Sequence, residues 1–295
     1  MGHLQFIYRI FLLVVCLQTP QAGIAQTLPK AFHRLTPTQG LSQAINAFVY
    51  KDSRGFVWVS SIDGLNRYDG RVVKVYRPNP ADAHALRGAN MQSRFYETPE
   101  GDLWFCTYDA INRYRRRTDD FESFQLRNET GDTIANGYYI FHKDPAGKLW
   151  VRANGKLYWF DIKTLQQDIK GALDGIRCFA DTGADGRLRG IYSCFFGSKA
   201  GIQYTRLNAG GTTGATQSFF SANDPGKLPS LFVSDIRIEN DTLVWLCGRD
   251  GLTAFNPQQP DTFRHYAPVP GEKAGFWAMA PVNDTMLAVS SNTSG

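Results

Sequence analysis

Short runs of apolar residues recur along the chain at a regular interval. Trp58, Trp104 and Trp150 lie 46 residues apart, and apolar residues flank each of them. Runs this short, bounded by Gly and Asp, predict strands rather than helices, and their unbroken apolar character predicts sheets covered on both faces. The pattern therefore predicts an all-β repeat protein.

Each repeat contains residues for four short strands. In the first repeat, Asp52–Gly55 is a turn, because the Asp side chain caps backbone N–H groups and the glycine accepts a positive φ. The strand Ile45–Tyr50 precedes this turn and the buried strand Val57–Val59 follows it. Asp63-Gly64 then opens a second hairpin, and Val73–Tyr76 is an aromatic closing strand. Four antiparallel strands in about 46 residues are the size and content of a β-propeller blade.

The fourth unit is the exception. Ile176–Ala180 and Arg189–Cys194 flank a turn at Asp185-Gly186, but the tryptophan is missing. Cys178 and Cys194 stand almost symmetrically about that turn, so an antiparallel hairpin places them nearly opposite one another. A disulfide between them is one prediction, since cross-strand neighbours can meet the distance limits of the bond. Two buried free thiols are the alternative.

The two ends of the repeat region differ from its middle. The sixth unit has the pattern for two strands only, Phe276–Ala280 and Met286–Ser291. At the other end, Phe32–Leu35 is similar to the closing strand of a blade. In a closed ring this strand would remove the exposed edges at the seam. We therefore expect a lead-in over 26–43, about five and a half blades over 44–295, and a longer protein of which this chain is a fragment.

Residues 1–25 have the pattern of a secretory signal peptide. A cationic start leads into the apolar run Ile10–Leu17, and the small residues Gly23-Ile24-Ala25 precede Gln26. The apolar run is far short of the roughly 20 residues that span a membrane. We therefore predict cleavage between Ala25 and Gln26, with an uncleaved anchor as the alternative. The mature chain is expected in the periplasm or outside the cell.

Charge and composition exclude several kinds of site. The net charge of +5 is scattered, and the densest basic run, Arg115–Arg117, is followed at once by Asp119-Asp120. No nucleic-acid-binding surface is therefore predicted. None of the cysteines has CxxC spacing and the histidines are widely separated, so no metal or other cofactor is predicted. The acidic residues lie mostly in the repeating turns, so no residue is assigned to catalysis.

The amino-acid sequence of the first repeat resembles the two-component regulator propeller repeat. Asp52–Ser60 followed by Asp63–Gly70 carries the resemblance most specifically, and it extends over residues 32–295. The resemblance implies the N-terminal periplasmic sensor region of a Bacteroidetes-type hybrid two-component sensor, or of a related helix-turn-helix regulator. It also implies a seven-bladed ring, a transmembrane segment beyond residue 295, a kinase or helix-turn-helix output, and a ligand derived from glycans.

We therefore expect an extracytoplasmic ligand-sensing or interaction propeller that is non-catalytic in itself and belongs to a protein regulating transcription. The expected partners are an unknown ligand, glycan-derived if the resemblance is followed, and a second copy of the chain in a homodimer. Contact with the membrane is expected only through the missing C-terminal region. A secreted propeller glycosidase or glycan-binding protein is the alternative. Aromatic residues outside the repeated core positions could stack on sugars, with core packing as their alternative role: Tyr108, Tyr138, Tyr139 and Trp277.

Overall fold

The structure has the repeating groups of short strands that the sequence predicts. A computed structural model describes residues 35–44, 46–195, 201–221, 232–249, 251–267, 274–283 and 286–293. The described residues form five four-stranded antiparallel sheets and a sixth sheet of two strands, each built from strands consecutive in sequence. These sheets are the blades of a β-propeller, as the repeat predicts. In this part of the chain, no helix is long and apolar enough to cross a membrane.

The strands follow one another in chain order after a short 3-10 turn, Pro37–Gln39. Blade 1 contains β1 (Asn46–Lys51), β2 (Val57–Ser61), β3 (Gly64–Tyr68) and β4 (Val73–Tyr76). Blade 2 contains β5 (Tyr96–Glu97), β6 (Leu103–Cys106), β7 (Ile111–Arg115) and β8 (Asp120–Phe124). Blade 3 contains β9 (Tyr139–Lys143), β10 (Lys148–Ala153), β11 (Lys156–Asp161) and β12 (Gln167–Ala172).

The remaining blades continue the series. Blade 4 contains β13 (Arg177–Thr182), β14 (Leu188–Phe195), β15 (Gly201–Leu207) and β16 (Thr213–Ser221). Blade 5 contains β17 (Val233–Asn240), β18 (Leu243–Gly248), β19 (Gly251–Asn256) and β20 (Gln259–Tyr266). The sixth sheet contains β21 (Ala274–Asn283) and β22 (Met286–Thr293).

A tryptophan in the second strand of blades 1 to 3 fills the space between neighbouring blades. Trp58, Trp104 and Trp150 are 0%, 1% and 7% exposed. Trp58 of blade 1 packs against Phe95 and Tyr114 of blade 2, with ring centroids 6.2 Å and 4.7 Å apart. Burying a large apolar side chain stabilises a fold by about 2–3 kcal/mol, so these residues contribute strongly to blade packing.

The turn before β2 is held by the Asp52 side chain. One carboxylate oxygen accepts hydrogen bonds from the backbone N–H groups of Arg54 and Phe56, both at 3.0 Å. The other accepts the indole N–H of Trp58 at 2.9 Å. Blade 3 repeats the last contact between Asp144 and the Trp150 indole, at 3.4 Å. The repeated Asp-x-x-Gly motif therefore both forms the turn and positions the tryptophan between the blades.

A buried ion pair joins this turn to blade 2. The Arg116 guanidinium donates to Asp52 at 2.8 Å and to Glu97 at 3.1 Å. Arg116 and Asp52 have only 6% and 0% of their side-chain surface exposed. Although burial alone raises the pKa of Asp52, the hydrogen bonds from Trp58 and Arg116 outweigh it and lower the pKa below its usual value.

Asp119, in the turn between β7 and β8, joins the same two blades. Its carboxylate accepts hydrogen bonds from the hydroxyls of Tyr76 and Tyr114, both at 2.6 Å, and pairs with Arg67 at 2.8 Å and with Lys74. Burial raises the pKa of Asp119, but these donors outweigh it and hold the pKa well below its usual range. The carboxylate is therefore ionised at neutral pH, and it connects blade 1 to blade 2.

The predicted disulfide between Cys178 and Cys194 is wrong, because the register of the hairpin separates the two side chains. Cys178 pairs with Ser193, whereas Cys194 pairs with Arg177. Side chains alternate between the faces of a sheet, so an offset of one residue sends the two thiols to opposite faces. Cys178 packs in the cluster that contains Trp150, and Cys194 in a cluster with residues of blade 5. Both are buried free thiols.

Two predictions concern residues outside the described part of the chain. The signal peptide over 1–25, with its cleavage between Ala25 and Gln26, falls entirely within the undescribed residues 1–34. The proposed closing strand Phe32–Leu35 falls there except for Leu35. Both stay predictions.

Candidate functional site

A cleft of about 760 Å³ lies between blades 4 and 5. One wall is a face of the blade 4 sheet, with side chains from β13, β14, β15 and β16. The other is formed by the end of β17, the turn after it, and the turn between β19 and β20. This volume lies within the range of about 300–1,000 Å³ that is typical of small-molecule sites.

The cleft lies where blade 4 departs from the repeat. The turn Gly183–Gly186 makes the same two backbone hydrogen bonds as the turn Asp52–Gly55. Counted from these turns, Gly183 takes the place of the capping aspartate and Arg189 takes the place of Trp58. The indole that fills the interblade space in blades 1 to 3 is therefore absent here, and an open cleft takes its place.

Arg189 bridges the two walls of the cleft. On the neighbouring strand β13, Asp181 pairs with Gly190 and the next residue, Thr182, pairs with Leu188. Arg189 is therefore skipped in the pairing and is the extra residue of a β-bulge. Such bulges re-aim a side chain. The Arg189 guanidinium donates to Asp181 of blade 4 and to Asp241 of blade 5, both at 2.8 Å. These hydrogen bonds, above all the one that Asp181 accepts, raise the pKa of Arg189 and keep it charged.

Aromatic rings form the apolar part of the blade 4 wall. The Tyr192 and Tyr204 ring centroids are 4.7 Å apart, and Phe219 lies 6.1 Å from Tyr192. The Tyr204 hydroxyl donates to the second oxygen of Asp181 at 2.7 Å. A Cβ atom on Gly190 would lie 2.2 Å from that hydroxyl oxygen, so the tyrosine reaches Asp181 only because residue 190 is glycine.

Several polar side chains of the cleft are available to a ligand. Among the described residues, the side chains of Arg206, Gln217 and Gln258 make no hydrogen bond or ion pair with the protein. Asp241 leaves 69% of its side-chain surface exposed while one of its oxygens binds Arg189. In contrast, both oxygens of Asp181 are engaged within the protein. The cleft thus combines aromatic and apolar walls with unpaired guanidinium and amide groups.

The aromatic residues selected from the sequence lie elsewhere. Tyr138 is 1% exposed, and its hydroxyl bonds to backbone groups of Leu126 and Ile134, so it is a core residue. Tyr139 packs in the cluster that contains Trp150. Tyr108 and Trp277 are 46% and 42% exposed, and neither lines the cleft.

The lining residues of the cleft were not identified from the sequence. The available signal was the fourth unit, which lacks the tryptophan of its neighbours. No group of three or more His, Cys, Asp or Glu side chains in the described segments is arranged to hold a metal ion.

Comparisons with known proteins find the same fold in extracellular domains of bacterial signalling systems. The chain aligns with the extracellular domain of the hybrid two-component system BT3049 from B. thetaiotaomicron, with a TM-score of 0.65 and 20% identity over 88% of the chain and 34% of that structure. The extracellular domain of the one-component system BT4673 from the same organism matches with a TM-score of 0.65 and 20% identity, over 87% of the chain and 36% of that structure. Propeller architecture is therefore confirmed, and it is the architecture of such extracellular domains.

Sequence comparison gives one short match. "Histidine kinase P4" from Formosa agariphila is 40% identical over 62 residues, which are 21% of this chain and 4% of the kinase. No family model matches the chain. The chain thus spans about a third of the length of the solved relatives and a small part of the kinase.

Proposed function

We propose that the protein is the extracytoplasmic ligand-recognition region of a bacterial signal-transduction protein, and that its ligand binds in the cleft between blades 4 and 5. The observation that carries this proposal is the replacement of the interblade tryptophan by Arg189. The proteins that share the fold at a TM-score of 0.65 are extracellular domains of signalling systems, which supports the choice of function.

The composition of the cleft favours a saccharide ligand. Sugars present apolar C–H faces together with many hydroxyl groups, so their sites combine aromatic rings with planar polar side chains. Tyr204 provides a half-buried ring, and Gln217, Gln258 and Arg206 provide unpaired donors and acceptors beside it. A glycan-derived ligand is therefore our proposal, in line with what the repeat resemblance implies.

A signal can arise in this cleft because Arg189 connects the two blades. A ligand changes a conformational equilibrium only if it binds the two states with different affinity. A ligand that enters between Tyr204 and Asp241 would bind the blades at one separation and not at another, and so would bias the geometry of the ring. We propose that this change is transmitted to output regions outside this chain.

Binding without catalysis is the expected activity. Hydrolysis of a glycoside commonly needs two carboxyl groups on opposite sides of the scissile bond. Asp181 and Asp241 share the same Arg189 nitrogen atom, and Asp181 also binds the Tyr204 hydroxyl, so neither is placed as a separate acid or nucleophile. We therefore expect no turnover of model glycosides by the purified protein.

The proposal can be tested by filling the cleft. Ala209 lines it and is exposed, so Ala209→Trp would place an indole in the ligand volume. Ala81 lies exposed in a turn between β4 and β5, outside the lining, and Ala81→Trp is the matched control. In a thermal-shift screen with neutral, acidic and amino oligosaccharides, at least one should stabilise the native protein and the control but not A209W. Equal stabilisation of A209W would show that the ligand binds elsewhere, and stabilisation by none of them would contradict a glycan ligand.

A further inference from the structure

We infer that the cleft selects a ligand bearing an anionic group, a carboxylate or a sulfate ester on a sugar, and that Arg206 is the residue that recognises it. This inference rests on the proposed function, because it names the chemical class of the ligand for the same site.

The charged side chains of the cleft are not all paired. Two aspartates and two arginines line it. Arg189 lies between Asp181 and Asp241, 2.8 Å from an oxygen atom of each, so it is engaged within the protein, and its single charge neutralises one of the two carboxylates. Arg206 makes no ion pair with any described residue, and its side chain is exposed. An approaching ligand therefore finds one cation whose donors are all unused.

Arg206 lies beside the aromatic wall of the cleft. Arg206 and Tyr204 are two residues apart on β15, so their side chains leave the same face of the strand. Arg206 pairs in register with Gly190, the residue over which the Tyr204 ring lies. The guanidinium is also close enough to oppose the effect of burial on the pKa of Tyr204. A sugar ring against Tyr204 would thus have its substituents within reach of Arg206.

The guanidinium group of Arg206 suits an anionic ligand group. Its planar fork of N–H donors matches the two oxygen atoms of a carboxylate or a sulfate, whereas a neutral hydroxyl uses one donor. A hydrogen bond to a charged group contributes about 1.5–3 kcal/mol, which corresponds to about ten- to a hundredfold in affinity. Arg206 can therefore separate acidic from neutral forms of the same oligosaccharide.

Paired probes test this inference by titration calorimetry on the full chain. Tetragalacturonate and its fully methyl-esterified form differ in their carboxylate charges and in the ester methyl groups, and a sulfated galactan tetrasaccharide and its desulfated form distinguish sulfate from carboxylate. We expect the acidic member of at least one pair to bind tenfold or more tightly than its neutral partner. Arg206→Gln should remove that preference and leave binding of the neutral partner unchanged.

Arg187 provides the matched control. Its side chain is 84% exposed in the turn before β14 and does not line the cleft, so Arg187→Gln removes the same charge outside the site. This variant should change each affinity by less than about twofold, as expected of a screened surface charge. Equal affinity for both members of every pair, or the same loss in R187Q and R206Q, would overturn the inference.

The outcomes also separate this inference from the proposed function. Binding that A209W abolishes, but that does not distinguish acidic from neutral probes, would keep the site and remove the role of Arg206. Preference for the cationic probe chitotetraose in its deacetylated form, lost in Asp241→Asn, would reverse the sign of the selected charge. Absence of binding by every probe would contradict the glycan ligand itself.

Discussion

Replacement of Asp52 by alanine should destabilise the protein more than the same change at the equivalent position of blade 3. Asp52→Ala removes the partner of two backbone N–H groups, of the Trp58 indole and of the Arg116 guanidinium. Breaking a buried ion pair by removing one partner costs about 3–5 kcal/mol. Arg116 keeps Glu97 at 3.1 Å, which favours the low end for this contribution. With the lost turn cap, worth about 1 kcal/mol, we expect a total of about 4 kcal/mol.

Asp144→Ala is the control, because Asp144 has the same place in its repeat. It caps the Lys148 N–H at 2.9 Å and accepts the Trp150 indole N–H at the longer distance of 3.4 Å, but it has no arginine partner among the residues that the structure describes. Its loss should cost about 1–2 kcal/mol. Urea denaturation followed by tryptophan fluorescence gives both values, and at equal m-values a larger fall in midpoint means a larger loss of stability.

The pH dependence of the stability difference between the native protein and D52A gives an independent check. The pKa of Asp52 is lowered in the folded state, so its contribution to stability is fully present above the unfolded value of about 3.9. That contribution is lost as the pH falls through the folded pKa. The stability gap between the native protein and D52A should therefore be constant from about pH 7 to pH 5 and narrow below about pH 4. Equal costs for D52A and D144A at neutral pH would refute the assigned role of Arg116.

Three further perturbations have expected outcomes. Gly190→Ala should displace Tyr204 from Asp181. We expect this variant to lose about 1–3 kcal/mol of stability in urea denaturation and to bind the ligand more weakly. Gly210→Ala is the control, because a Cβ there meets nothing within 4 Å, and it should change neither stability nor binding. Asp119→Asn should destabilise the protein above about pH 4, and this difference should vanish on acidification because the folded pKa of Asp119 is lowered. Burial raises the pKa of each described cysteine thiol, so iodoacetamide should label none of them in the native protein. All of them are free, so all should be labelled after denaturation without reductant. A cysteine that stays unlabelled after denaturation would contradict this expectation.

The blades were predictable from the sequence because each is a local structure. Val57–Val59 and Val73–Tyr76 lie within β2 and β4, since alternation and turn residues determine strands over a few positions. The strands of the fourth unit were also located correctly, at β13 and β14.

The error at Cys178 and Cys194 has the opposite cause. Near symmetry about a turn does not give the register, and an offset of one residue decides which face a side chain occupies. The positions of the two cysteines in the sequence do not reveal that offset.

The cleft depends on contacts between distant parts of the chain. Arg189 and Asp241 are 52 residues apart, and the bulge that aims Arg189 at blade 5 follows from pairing with Asp181. The missing tryptophan indicated where the repeat changes, but it did not indicate which residues would line the space. In this chain, the repeat that loses its interblade tryptophan is therefore the sequence signal for the cleft.

Hydrogen exchange followed by mass spectrometry, with and without a saturating oligosaccharide from the screen, tests the central claim most directly. Slowed exchange should be concentrated in β14, the end of β15 with the following turn, and the turn after β17, because these segments form the cleft. Protection confined to peptides around Tyr108 or Trp277, with no change near Arg189, would contradict the assignment of the site.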